Sequence, residues 1–211
     1  MLKKFLVLAT PLVLILGFTF NSVVNAASSD QTTVKDEKQV YKEELKKLTK
    51  YEIIDNFERI HEEYNMEEPF SLKDQNFVEM YAKKPSLITS YASKTISGSK
   101  TSNGVTVKVS GTLKDDIQNI INQSFGASNL KTSTTAGASK VSSVKTVVYH
   151  DAYGLVGSGG IGKVYSGSLS TSGKNTTLSS TKKYTAVVAY ASTWCTVTVK
   201  HSGGTFTVNP K

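Results

Sequence analysis

The sequence predicts an α+β protein: short amphipathic helices on the N-terminal side, then an antiparallel β-rich domain built as a small sandwich or barrel. Three observations carry that expectation. Charge reverses near residue 95: residues 27–95 hold 11 basic and 14 acidic side chains, and residues 96–211 hold 12 and 3. Glycine is absent from 27–95 and occurs 14 times in 96–211. Apolar periodicity changes at the same place, from helical spacing to alternation. Such asymmetry between halves of one chain implies different structures and separate roles.

Residues 1–26 read as an export signal. Lys3 and Lys4 form a short positive region, Phe5 to Phe20 is mostly apolar, and Val24-Asn25-Ala26 suits a signal peptidase. Cleavage is expected between Ala26 and Ala27. The apolar run contains Pro11 and falls short of the roughly 20 residues a spanning helix needs. The lone cysteine lies far from the signal, and residues 207–211 form no apolar tail, so neither a lipid anchor nor wall sorting is expected. The expected location is extracellular, and the Lys-rich, Arg-poor, nearly Cys-free composition is Gram-positive-like. A single cysteine excludes a disulfide framework and a Cys-based zinc site.

Residues 27–95 form an acidic helical segment, with a possible role as a pro-region. Val40, Tyr41, Leu45 and Leu48 fall on one helical face. Thr49-x-x-Glu52 is a capping box for a second helix carrying Ile53, Ile54, Phe57, Ile60 and Tyr64. Ser71-x-x-Asp74 caps a third, with Phe77, Met80 and Tyr81 on one side. Pro85 closes it, because the residue before proline avoids the α region.

Residues 96–125 predict a β-hairpin plus a helix. Thr95–Lys100 and Val105–Ser110 flank Asn103-Gly104, the strongest short hairpin signal. Thr112-x-x-Asp115 then resembles a helix cap, with Leu113, Ile117, Ile120 and Ile121 as the apolar stripe to about residue 124. Residues 126–143 are small, polar and low in complexity, and read as a Ser/Thr/Ala/Gly-rich linker, with a processing site and an ordinary long loop or Thr-rich edge strand as the alternatives. Residues 144–211 form the basic antiparallel β-domain, with strands expected over 144–150, 161–168, 183–191, 194–200 and 205–208.

The motifs that invite a chemical reading fail on context. Gly157, Gly159 and Gly162 satisfy G-x-G-x-x-G, and Gly157–Lys163 resembles a phosphate loop. Both motifs need a helix to follow, and Val164-Tyr165-Ser166-Gly167 is strand and turn, so no nucleotide is expected. The bland reading is a glycine loop between strands; entry into a membrane is the minor alternative. Cys195 shares a strand face with Val197 and Val199 and reads as core, with an intermolecular disulfide as the alternative and His150 or His201 as the available bases for a nucleophile. His61-Glu62-Glu63 lacks the second histidine of a zinc-protease helix and reads as a solvated face. No cofactor, metal or catalytic residue is assigned, and the chain is expected not to be an enzyme.

The basic half favours anionic partners. It contains no arginine, hence no bidentate phosphate fork and no expectation of specific nucleic-acid reading. The expected partner is an anionic cell surface or wall polymer, with Lys163, Lys182, Lys183, Tyr153, Tyr165 and Trp194 as candidate interaction residues. A bacteriocin-like or toxin-like antimicrobial product with an acidic pro-region fits this pattern. A structural or adhesive matrix protein and a secreted hydrolase or inhibitor with an unidentified site are the alternatives.

Overall fold

A computed structural model describes residues 26–85, 92–117 and 122–211. The chain divides into two compact units, Met1–Glu37 and Lys38–Lys211. Of the first, the described residues are helical and belong to α1 (Ala26–Leu45). The export-signal reading falls on residues outside the described ones, apart from Ala26 and Ala27 in the first turn of that helix.

The second unit is α+β, with helices followed by two antiparallel four-stranded sheets. Helix α2 (Lys50–Glu63) starts at the predicted capping box. The Glu52 amide donates to Thr49 Oγ1 at 3.3 Å, and the Thr49 amide donates to the Glu52 carboxylate at 2.7 Å. Its buried face is Ile54, Phe57 and Ile60. Helix α3 (Leu72–Tyr81) is capped by Ser71, whose Oγ accepts from the Asp74 amide at 3.2 Å. The Asp74 carboxylate is held by Arg59, by Tyr64 Oη at 2.7 Å and by Ser71 Oγ at 2.9 Å. Burial alone would raise its pKa, but these hydrogen bonds outweigh burial and keep it below the ordinary value.

The strands are β1 (Ala92–Ser102), β2 (Val105–Asp116), β3 (Gln123–Ala136), β4 (Val141–Val156), β5 (Gly160–Ser172), β6 (Asn175–Tyr184), β7 (Tyr190–His201) and β8 (Gly204–Val208). One sheet runs β1-β2-β3-β6 and is called the outer sheet. The other runs β5-β4-β7-β8 and is called the helix-side sheet. Ile96, Val107, Val109, Phe125 and Leu130 of the outer sheet meet Val144, Val148, Cys195, Val197 and Val199 of the other in one core. The opposite face of the helix-side sheet carries Tyr153 and Trp194, which pack with Phe57, Ile60, Phe70 and Phe77 in a second core. Helices, sheet and sheet thus form three layers.

Parts of the helix-side sheet's edges are covered. Residues 66–70 lie along β5: the Glu67 amide donates to the Lys163 carbonyl at 2.9 Å and the Phe70 amide to the Ile161 carbonyl at 2.8 Å. Lys83 exchanges two backbone bonds with Ala191, of 2.7 and 2.8 Å, where β8 does not reach. Lys211 exchanges two with Ser97 on β1 and links the two sheets at that corner.

Three sequence expectations are corrected. Residues 112–116 continue β2 instead of starting a helix; Ile120 and Ile121 lie outside the described residues. An i, i+4 spacing is also even, so Leu113 and Ile117 share a strand face as readily as a helical one. Residues 126–143 are not a linker but most of β3, a short 3-10 turn (Ala138–Lys140) and the start of β4. Small side chains disguise this strand, because Thr132 fills a core position by hydrogen-bonding Thr146 across the sandwich at 2.7 Å. Residues 185–189 connect β6 to β7, so the strand expected over 183–191 ends at Tyr184, and β6 itself lies in sequence read as turn.

Candidate functional site

The outward face of the outer sheet is built from alternate residues of four strands. Val105, Val107, Val109 and Leu113 point into the sandwich, which turns Thr106, Lys108, Ser110 and Thr112 outward. Ladder register then fixes their neighbours. Lys108 stands between Ser99 and Ser133, Lys131 between Ser110 and Thr177, and Lys183 opposite Ser124. All three lysines are exposed, and every ladder neighbour is a hydroxyl residue. The face therefore presents cations among donors and acceptors, with no acid beside these three in the ladders. Lys114 and Asp116 lie on the same face at one end.

The predicted interaction residues divide. Lys182 and Lys183 are exposed on β6. Lys163 is 4% exposed, and its Nζ donates to the His61 carbonyl at 2.7 Å, where a cation complements the C-terminal end of α2. Tyr153 is fully buried with its hydroxyl 2.7 Å from Ser192 Oγ, and burial pushes its pKa well above the usual value. Trp194, 4% exposed, stacks on Phe57 and Tyr149. Tyr165 is half-buried, with its ring stacked 4.0 Å from that of Tyr184. Lys163, Tyr153 and Trp194 are thus core and not surface: strand alternation places them on the face that α2 and α3 cover.

Cys195 is buried, and burial pushes its thiol up to about 12. The thiolate a nucleophile requires is absent at neutral pH. The glycine-rich stretch is the β4–β5 hairpin, closing at Val156 opposite Gly160 with no helix after it. Among the described residues, no three His, Cys, Asp or Glu side chains group as metal ligands.

One cluster escaped the sequence reading. His61 does not face solvent alone: its Nδ1 lies 3.0 Å from both carboxylate oxygens of Asp151, a residue 0% exposed. Ser166 Oγ approaches the same nitrogen at 3.4 Å. A serine–histidine–aspartate relay needs the two partners on opposite ring nitrogens, so this arrangement ties α2 to the sheet instead. Glu58, one turn earlier, accepts from Thr196 on β7; burial raises its pKa more than that bond lowers it. The signal available in sequence was Asp151 itself, the sole acid in 117–211, sitting between Tyr149 and Tyr153 in an apolar strand. A lone acid in such a strand needs a partner from elsewhere.

No family model, curated protein or solved structure matches this chain.

Proposed function

We propose that this chain is an exported, non-enzymatic binding protein that attaches to an anionic envelope polymer through the outward face of its outer sheet. The observation that supports the reading is the placement of Lys108, Lys131 and Lys183 with only Ser and Thr as ladder neighbours. A lysine without an adjacent carboxylate keeps its field for a partner, and flanking hydroxyls supply hydrogen bonds to phosphate or carboxylate oxygens. Attachment of this kind is screened by salt, with a Debye length near 10 Å at 0.1 M falling to about 3 Å at 1 M.

The test is sedimentation of the protein with purified phosphodiester wall polymer at low and high salt. Binding at low salt, its loss at about 1 M salt, and its loss in the Lys108→Glu/Lys131→Glu/Lys183→Glu variant are expected. Equal binding by the variant sinks the reading.

A second reading, a lipid bilayer as the anionic surface, is favoured by one observation. Leu155 and Val187 are 75% and 79% exposed. Their chain segments run side by side, since a Cβ on Gly154 would lie 2.4 Å from the Val187 carbonyl oxygen. The Gln123 side chain holds the Val187 loop by two bonds to Ala186, of 2.7 and 3.0 Å. Anionic vesicles in the same assay separate the two: a Leu155→Ser/Val187→Ser variant loses vesicle binding but keeps polymer binding if both surfaces act. Dye leakage from those vesicles tests the toxin-like form of this reading.

A further inference from the structure

We infer that Asn103 is a self-modification site: it loses its side-chain amide to attack by the Gly104 main-chain nitrogen, and Lys140 promotes the reaction. Asn103 and Gly104 form the tip of the β1–β2 hairpin, and both are exposed. Their φ angles, 49° and 76°, are those of a two-residue type I′ turn. The Gly104 nitrogen is open to its neighbour's side chain. Among the described residues, the one atom within 4 Å of a Cβ built on Gly104 is Lys140 Nζ, at 3.2 Å. The Asn103 amide is held by an exposed bond, Nδ2 donating to the Gly203 carbonyl at 3.2 Å.

Lys140 is what distinguishes this turn from any other Asn-Gly. The 3-10 turn seats it there: its amide donates to the Gly137 carbonyl at 2.9 Å, and a Cβ on Gly137 would stand 2.4 Å from the Gly104 carbonyl oxygen. The Lys140 ammonium donates to the Asn103 main-chain carbonyl at 3.5 Å. That oxygen belongs to the same peptide unit as the Gly104 N–H. A cation beside it stabilises the negative charge that develops as the nitrogen gives up its proton. Among the described residues Lys140 has no acidic partner, so its charge is not neutralised. In the reaction, solvent base takes the Gly104 amide proton and the nitrogen bonds to Asn103 Cγ. The Cγ–Nδ2 bond breaks and ammonia leaves. Water then opens the cyclic imide at either carbonyl, which leaves an aspartyl or an isoaspartyl link. The bond from Asn103 to Gly203, which joins hairpins of opposite sheets, is lost, and a carboxylate stands beside Lys140 instead. Asn129 is the internal comparison: it is exposed and has a φ of 50°, but its successor Leu130 is fully buried. None of these groups is Lys108, Lys131 or Lys183, so this site stands or falls apart from polymer attachment.

The experiment incubates the full chain at mildly alkaline pH over several weeks. Peptides taken at the start and at intervals are mapped by mass spectrometry. Conversion of amide to acid at Asn103, as separable aspartyl and isoaspartyl peptides, is expected at least tenfold faster than at Asn129. Lys140→Gln, at an exposed position, is expected to slow conversion at least threefold while circular dichroism shows the fold retained. In urea, where the lysine no longer sits at the turn, parent and variant are expected to react at one rate. No conversion at Asn103, or conversion no faster than at Asn129, overturns the inference. Equal rates for the folded parent and the folded variant overturn it too, because a reaction set by the dipeptide alone needs no lysine. Slowing of the same size in urea does likewise, since the effect would not come from the fold.

Discussion

His150 stands in the core end of the sandwich with both ring nitrogens engaged, Nδ1 at 2.8 Å from Thr193 Oγ1 and Nε2 at 2.8 Å from the Tyr184 hydroxyl. Its ring stacks on Phe125. Burial lowers its pKa from 6.5 to about 3, so the folded state holds it neutral. The unfolded chain binds the proton first as pH falls. Its contribution to stability is therefore full above pH 6.5 and declines between 6.5 and about 3, by up to about 1.4 kcal/mol per pH unit. Urea unfolding of His150→Phe between pH 7.5 and 4.5 is expected to show a shallower pH slope than the parent; equal slopes would place the acid sensitivity elsewhere. His61 is the hydrogen-bond partner of a buried carboxylate. His61→Ala leaves Asp151 uncompensated and is expected to cost about 3 kcal/mol at pH 7, read from the same urea curves. The burial of Cys195 was legible because Val197 and Val199 share its strand face. The role of His61 was not, because its neighbours Glu62 and Glu63 are exposed and its partner lies 90 residues away.

Among elements, the helices were the most legible. Capping boxes and 3.6-residue spacing are local signals, and Thr49 and Ser71 cap as their sequences indicate. The middle strands were hidden for physical reasons: hydroxyl pairs replace apolar contacts in β3, and an even apolar spacing serves helix and strand alike. Edge coverage was beyond sequence reading altogether, since it depends on backbone meeting backbone. At Gly162 a Cβ would stand 2.3 Å from the Glu68 carbonyl oxygen, a main-chain atom unable to rotate away. Gly162→Ala is expected to lift residues 66–70 from β5. Hydrogen exchange at the Phe70 and Glu67 amides reads this directly, with at least tenfold faster exchange expected; unchanged protection would show that the strand shifts as a body.

At the scale of the molecule, the sequence division near residue 95 separates two compositions but not two folded bodies, since residues 38–211 form one unit. The acidic helices and the basic sandwich share the core around Phe57, Tyr153 and Trp194. What α2 and α3 cover is an aromatic sheet face, and what residues 66–70 and Lys83 cover are lengths of sheet edge. A chain cut between residues 85 and 92 and stripped of its helices would expose both together. That remainder is expected to associate in light scattering at concentrations where the intact chain stays dispersed, and a monomeric remainder would show that the sandwich tolerates its bare edge.

The strap over β5 thus does for this protein what a cap does for a reactive end group. A sheet with an unsatisfied edge and an oily face is a monomer waiting for a second copy. While residues 66–70 are in place, growth along β5 is blocked within the same chain. Removing them would make proteolysis and polymerisation one event, and the timing of a single cut would decide whether this sequence remains a diffusible molecule or becomes a material.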